Sequence, residues 1–393
     1  MPNPNASPAC SRRAFLAASL AASAFAPLTR LLAQQAGLAG GRLLGTLELD
    51  PDGAASRPPF GVLVGTGLDA RLFTNLSSLT PETLITTNDR FFIRTASPDA
   101  VAAAQPWAID LGGRVRNSRA LALDALKDLV RPAGVHVLEC SGNADRASFG
   151  MLSAALWDGI PVTAILDRVT ASLGGPTRVL ISGVDDLTRP SATSVPGASW
   201  IFQREDLERT GAFLATAMNG VSLPHHHGFP VRLIVPGWYG CTCIKWVNRI
   251  DLVADESPAT SQMIEFASRT HQDAHATLAR DFTPAVVDLA AMPIRVEKWQ
   301  VDGRLVYQVV GVMWGGSKPT QALQIRFRSS EAFVPVSDCP LRATTTTWSL
   351  WSHLWRPQEP RRYQIVLRVN DPAIRTRRLD LFFYTREVVI QEV

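Results

Sequence analysis

Residues 134–146 read GVHVLECSGNADR. An apolar run ends on Cys140, and Ser141-Gly142 follow at once as a turn. The run predicts a buried strand whose end delivers one thiol to a loop. Three readings of that thiol stand open: a small buried hydrophobe, half of a disulfide, or a thiolate holding a metal. The rest of the chain has to choose among them.

The other cysteines narrow the choice. Five occur in all: Cys10, Cys140, Cys241, Cys243 and Cys339. There is no C-x-x-C-H haem attachment and no four-cysteine pattern for zinc or an iron–sulfur cluster. Cys241-Thr-Cys243 is too tight for most structural zinc spacings. The run His225-His226-His227 is no better a zinc site, because adjacent side chains rarely converge on one ion.

With 393 residues the chain can form two or three domains, each with its own core. Hydrophobic content of 46% and charge of 19% are those of a globular protein, and 27 Pro with 27 Gly imply many turns and a β-rich body. The net charge of +4 carries no basic block, which argues against nucleic acid and anionic membrane surfaces as partners. The N-terminal stretch SRRAFLAASLAASAFAPL (11–28) pairs Arg12-Arg13 with a short Ala-rich segment, as in a twin-arginine export signal. It is short for a membrane span and is interrupted by Pro27. Residues 1–34 are therefore expected to leave the chain, which gives a nearly neutral periplasmic protein with no membrane span. That route carries folded proteins, often with a cofactor already inserted, into an oxidising compartment.

Further along, residues 35–59 read as a linker or extended segment. Residues 60–256 alternate short β-like runs with modest helices. WAIDLGGRV (107–115) predicts a hairpin arm, and TRVLISGV (177–184) and FPVRLIVPGWYG (229–240) predict strands. ALALDALKDLV (120–130) has apolar residues at helical spacing, and EDLERTGAFLATAMNG (205–220) predicts a helix or helical pair closing on Asn219-Gly220. Residues 257–284 are polar and read as a connector. Residues 285–393 carry strands at sandwich spacing. The expected fold is α+β: a mixed α/β catalytic domain followed by an all-β immunoglobulin-like sandwich.

An ordered series of motifs then resembles the sulfite oxidase family of molybdopterin enzymes. NDRFFIRTASP (88–98) resembles the family's F-x-R-N-H segment, and ECSGNADR its C-[AS]-G-N segment. ALWDGIPVTAIL (155–166) resembles the W-x-G-V-x-L-x-x-L helix. MNGVSLPHHHGFPVRLIVPGWYGCTCIKWVNRI (218–250) resembles the longest signature, from M-N-G through H-G-x-P-x-R to K-W and R-I. VVGVMWGG, WSLWSHLW and LRVND resemble the C-terminal dimerisation sandwich.

The resemblance implies a molybdenum–molybdopterin cofactor with Cys140 as the metal's thiolate. Molybdenum takes soft sulfur donors; the pterin dithiolene supplies two and a protein thiolate another. It also implies that Phe92, Ile93, Arg94, Asp185, His227, Arg232, Cys243, Ile244 and Lys245 contact the cofactor, with the cations gathering its phosphate. Arg94 and Arg377 would hold a small anionic sulfur substrate, with Arg375 or Arg378 as alternatives to Arg377. Electrons would pass to an external acceptor, such as a c-type cytochrome, and the chain would form a homodimer. Two positions depart from the family pattern: Phe266 stands for a tyrosine and Ala96 for a histidine, with Tyr239, Trp238 or His271 as possible replacements. The departures leave three functions open: sulfite oxidation, the same cofactor acting on sulfane sulfur or a sulfoxide, or a cofactor-free binding protein.

Overall fold

Strand Leu152–Pro161 is buried along almost its whole length and organises the first sheet. It pairs antiparallel with Arg131–Glu139 on one side and with Phe213–Met218 on the other. Phe213–Met218 also pairs with Val221–Ser222 and Arg232–Ile234. A strand buried on both faces reads as a continuous apolar run, and this one holds the sheet inside the molecule. This computed structural model describes residues 38, 40–103, 106–168, 177–185, 191 and 197–393. The export signal read at residues 1–34 lies outside the described residues.

A second sheet is centred on Val247–Ala254, parallel to Ala108–Gly113 and antiparallel to Thr177–Gly183. Arg119–Ala122 and Ser199–Phe202 form its edges. At Gly183 a Cβ would run into the Lys245 carbonyl, so glycine permits the approach that brings Lys245 alongside.

The C-terminal part is all-β, and the fold as a whole is α+β. One four-stranded sheet runs Arg42–Leu47, Ala290–Val301, Arg304–Trp314, Ser349–Trp355; the other runs Val334–Pro335, Leu323–Arg326, Arg361–Val369, Arg386–Ile390. Trp355 joins the two faces, stacked on Phe327 at 4.0 Å and edge-on to Tyr363 at 4.7 Å. Within the segment read as linker or extended, Arg42–Leu47 is thus an edge strand of this first sheet.

Three helical expectations are corrected. Residues 120–130 form the end of strand Arg119–Ala122 and then a 3-10 helix, Leu123–Leu129, with only Leu126 buried. An apolar spacing that buries one residue lacks the packed face that stabilises a surface helix. In 205–220 a helix does form at Arg204–Thr210, but Gly211, in the left-handed region at φ 64°, ends it. Phe213–Met218 then continues as a strand, because burial between two neighbouring strands overrides local periodicity. ALWDGIPVTAIL is likewise divided, strand to Pro161 and helix only at Val162–Leu166.

Candidate cofactor and substrate site

Cys140 follows strand Arg131–Glu139 directly, and its amide donates to the Met151 carbonyl at 3.0 Å. The turn is closed by the Asn143 amide on the Cys140 carbonyl, also 3.0 Å. Asn143 Oδ1 then accepts from the amides of Gly150 and Met151, both at 3.2 Å, which locks the loop to the neighbouring strand. Cys140 is buried, and Sγ accepts from the Gly142 amide at 3.4 Å. Cys140, Cys241, Cys243 and Cys339 are all free thiols, so no disulfide forms among the described residues. Burial raises the Cys140 pKa, while Arg94, the Gly142 N–H, Arg71 and Arg269 pull it down. Those charges do not outweigh burial. A bound metal ion would supply the missing positive charge.

The thiol faces an open cleft. Phe92, Arg94, Asp185, His227, Arg232, Cys243, Ile244 and Lys245 line it together with Cys140. Ile93 is buried and is not part of the wall. Ala96 lines an adjoining recess with Thr95 and Asp185. Phe266 is in the wall of the main cleft, whereas Trp238, Tyr239 and His271 are not.

The cations of this wall are held in an unusual way. Arg232 is buried and donates to the carbonyls of His227 (3.0 Å) and Cys243 (3.2 Å), and its Nε has no partner. Burial lowers its pKa to about 10. Lys245 donates to the carbonyls of Thr95 and, at 2.9 Å, His226, while its ammonium lies 4.3 Å from the Trp246 ring centre. Burial, then Arg232 and Arg94, push the Lys245 pKa well below normal. Thr95, whose carbonyl Lys245 uses, has φ 102°, a strained conformation for a β-branched residue. Arg71 and Arg94 stand directly opposite each other in the ribbon formed by Arg71–Leu72 and Ile93–Arg94. Like charges at such a pair are destabilising. Burial, then Arg94, lower the Arg71 pKa to about 10.

His227 donates from Nε2 to the Asn88 carbonyl at 2.8 Å, and burial pushes its pKa down to about 3. It is therefore neutral, with Nδ1 left as an acceptor. Asp185 Oδ2 accepts from the Gly197 amide at 2.8 Å.

Arg377 lies elsewhere. It forms a two-pronged ion pair with Glu139, 2.7 Å to Oε1 and 2.6 Å to Oε2, and also donates to the Tyr384 hydroxyl at 2.7 Å. Trp314 Nε1 donates to the same carboxylate at 2.8 Å. Burial opposes the Arg377 charge, but the Glu139 carboxylate overrides it and raises the pKa well above normal. The structure thus does not bring Arg377 to the cleft. Arg375 pairs with Asp288 and Arg378 with Asp380.

No local sequence signal marks Arg71, Arg269, Gln262 or Glu265, and His226, read in the sequence only as part of a histidine run, lines the cleft. His226 directly precedes the motif histidine, so its place in the wall was within reach of the sequence. Arg71 sits in a two-residue strand, and Arg269 and Glu265 sit in a segment read as a connector; neither has a periodicity to mark it.

Cations bonded to carbonyls, two more facing each other, and the Cys140 thiol form a cradle for an anionic group. Among the described residues no group of three His, Cys, Asp or Glu gathers around a possible metal position. A metal at Cys140 would therefore take its other donors from the anionic group itself. Fold and site together define a cation-rich cleft that fits an anionic group beside the Cys140 thiol.

Comparison with known proteins agrees. Residues 95–261 match the oxidoreductase molybdopterin binding domain. The mitochondrial sulfite oxidase of Drosophila melanogaster is 27% identical over 226 residues, 54% of this chain and 36% of that protein. The sulfite oxidase of Gallus gallus is 28% identical over 205 residues, 48% of this chain and 44% of that protein. The matches thus span less than half the length of these relatives. In fold, the chain is similar to the sulfane dehydrogenase SoxCD from Paracoccus pantotrophus, with a TM-score of 0.61 and 18% identity over 86% of this chain and 90% of that one. Residues 95–261 thus form a molybdopterin-binding oxidoreductase domain, the chain is similar to sulfite oxidases, and its cofactor is molybdenum–molybdopterin.

Proposed function

We propose that the chain is an exported, periplasmic oxidoreductase that oxidises sulfite, or a related sulfur oxyanion, to sulfate. The observation that carries this reading is a buried thiol, Cys140, in a cleft walled by the cations Arg94, Arg232 and Lys245. Sulfite and water become sulfate, two protons and two electrons. The bound cofactor supplies oxygen-atom transfer and two-electron redox chemistry.

The chain's own residues bind and position. Cys140 is the metal ligand, fixed by the strand end and the Asn143 turn. Arg232 and Lys245 hold the cofactor's phosphate, neutral His227 offers Nδ1 as an acceptor to a pterin N–H, and Asp185 accepts from the pterin ring. Arg94 and Arg71 draw a small anion toward Cys140, and that anion relieves their mutual repulsion. The Phe266 ring keeps water from one wall. The electrons leave to an external acceptor such as a c-type cytochrome, and the C-terminal sandwich forms a homodimer.

Sulfane sulfur is the second reading. Phe266 in the wall presents no hydroxyl to the substrate, and the structural neighbour SoxCD is named a sulfane dehydrogenase. Steady-state turnover of the molybdenum-loaded protein, with ferricyanide as acceptor, separates the two. Sulfite turnover supports the first reading; turnover of a sulfane substrate without sulfite turnover replaces it by the second.

A further inference from the structure

The Glu139 pair takes Arg377 away from the cleft, and another arginine, in the segment after Val253, lies beside the Cys140 loop. Phe266 and Thr270 are both buried, and Thr270 Oγ1 donates to the Phe266 carbonyl at 2.9 Å. Gln272 ties the same loop to Thr283, accepting from its amide at 2.8 Å and its hydroxyl at 3.0 Å. The loop is therefore anchored on both sides of Arg269, whose side chain is exposed. The Arg269 guanidinium lies 5.6 Å from the Phe266 ring centre and reaches back over the cysteine loop. A Cβ at Gly142 would sit 3.2 Å from Arg269 Nη1 and 3.7 Å from Cys140 Sγ. Among the described residues, no carboxylate pairs with Arg269.

We propose that Arg269, in place of Arg377, is the rim arginine that receives the anionic substrate and sets the preference for an anion. The inference rests on the oxyanion reading above. Phe266 fits it: the ring without a hydroxyl offers its face to the guanidinium and holds it over the opening. Glycine at 142 leaves the space that the guanidinium occupies. Arg377, with both Nη atoms committed to Glu139 and Tyr384, has no free fork for a second anion.

The test uses the molybdenum-loaded protein and sulfate, the product anion, as probe. Calorimetric sulfate binding is compared for wild type, Arg269→Gln and Arg269→Lys, alongside sulfite kinetics. Loss of one charge-assisted contact is expected to weaken sulfate binding and raise the sulfite KM by about tenfold, with kcat changed by less than about threefold. Lysine should restore part of the loss, because it keeps the charge but not the fork. Unchanged sulfate affinity in Arg269→Gln overturns the proposal, as does wild-type protein that binds no sulfate. If sulfite is not a substrate, turnover is absent in every variant while the sulfate comparison still reports on Arg269, so the two failures are separate.

Discussion

Glu139 and Cys140 are adjacent in the chain and face opposite regions of the molecule. On the Glu139 side, Arg377 meets a carboxylate with two short hydrogen bonds, and Tyr384 and Trp314 complete the cluster. On the Cys140 side, Arg232 is buried and Lys245 partly so, yet both hydrogen-bond only to carbonyls. A buried cation with its own carboxylate is part of the fold. A buried cation answered only by carbonyls is costly until an anion arrives, so it marks a binding site. One strand end thus joins a closed electrostatic cluster, tied to the C-terminal sheets through Trp314, to an open one.

The comparison can be broken most forcefully on its closed side. Glu139→Gln leaves Arg377 buried without a counter-charge and should cost about 3–5 kcal/mol in chemical denaturation. A cost under about 1 kcal/mol would mean that the pair contributes little to the fold. Replacing both residues by apolar ones of similar size should recover much of that loss.

The next effect is on pH dependence. His227 titrates at about 3 in the fold and near 6.5 when unfolded, so between these values the unfolded chain binds the extra proton. Stability therefore falls as the solution is acidified through this window, by about 2 kcal/mol between pH 6.5 and pH 5. His353, pushed to about 4 by burial, adds a slope of the same sign. His227→Gln should remove only its own share, and an unchanged slope in that variant would refute the assignment.

The open side gives the smallest effect and the sharpest contrast. Lys245 has a lowered pKa, so cofactor-free protein should gain stability as pH rises toward 10.5, where the unfolded lysine loses its proton. Cofactor loading should flatten that alkaline slope, because the phosphate restores the charged lysine, and leave the acid slope of His227 in place. Lys245→Met should abolish the alkaline slope and weaken cofactor retention by about tenfold. Equal slopes with and without cofactor would contradict the role given to Lys245.

The sequence carried the cradle further than it carried the substrate side. Arg232 and Lys245 interrupt apolar runs, a local sign of a buried charge, and both reach the cleft with Arg94, His227 and Asp185. Cys140 could be placed because a strand end and a glycine turn sit side by side in the chain. Arg377 could not be placed, since its partner Glu139 is 238 positions away and nothing local announces the pairing. Arg269 was hidden for the opposite reason: it lies on a short anchored turn with no periodicity. The strands at 213–218 and 119–122 were obscured because burial against neighbouring strands, rather than spacing, selects their conformation. Core-facing, locally marked chemistry is legible in one sequence; pairings made by the fold are not.

X-ray absorption at the molybdenum edge reads out directly whether Cys140 ligates molybdenum. Two sulfur donors come from the pterin dithiolene, so wild-type protein should show three sulfur neighbours and Cys140→Ser two, with the pterin retained and turnover lost. Three sulfur neighbours in the serine variant, or unchanged turnover, would contradict the account.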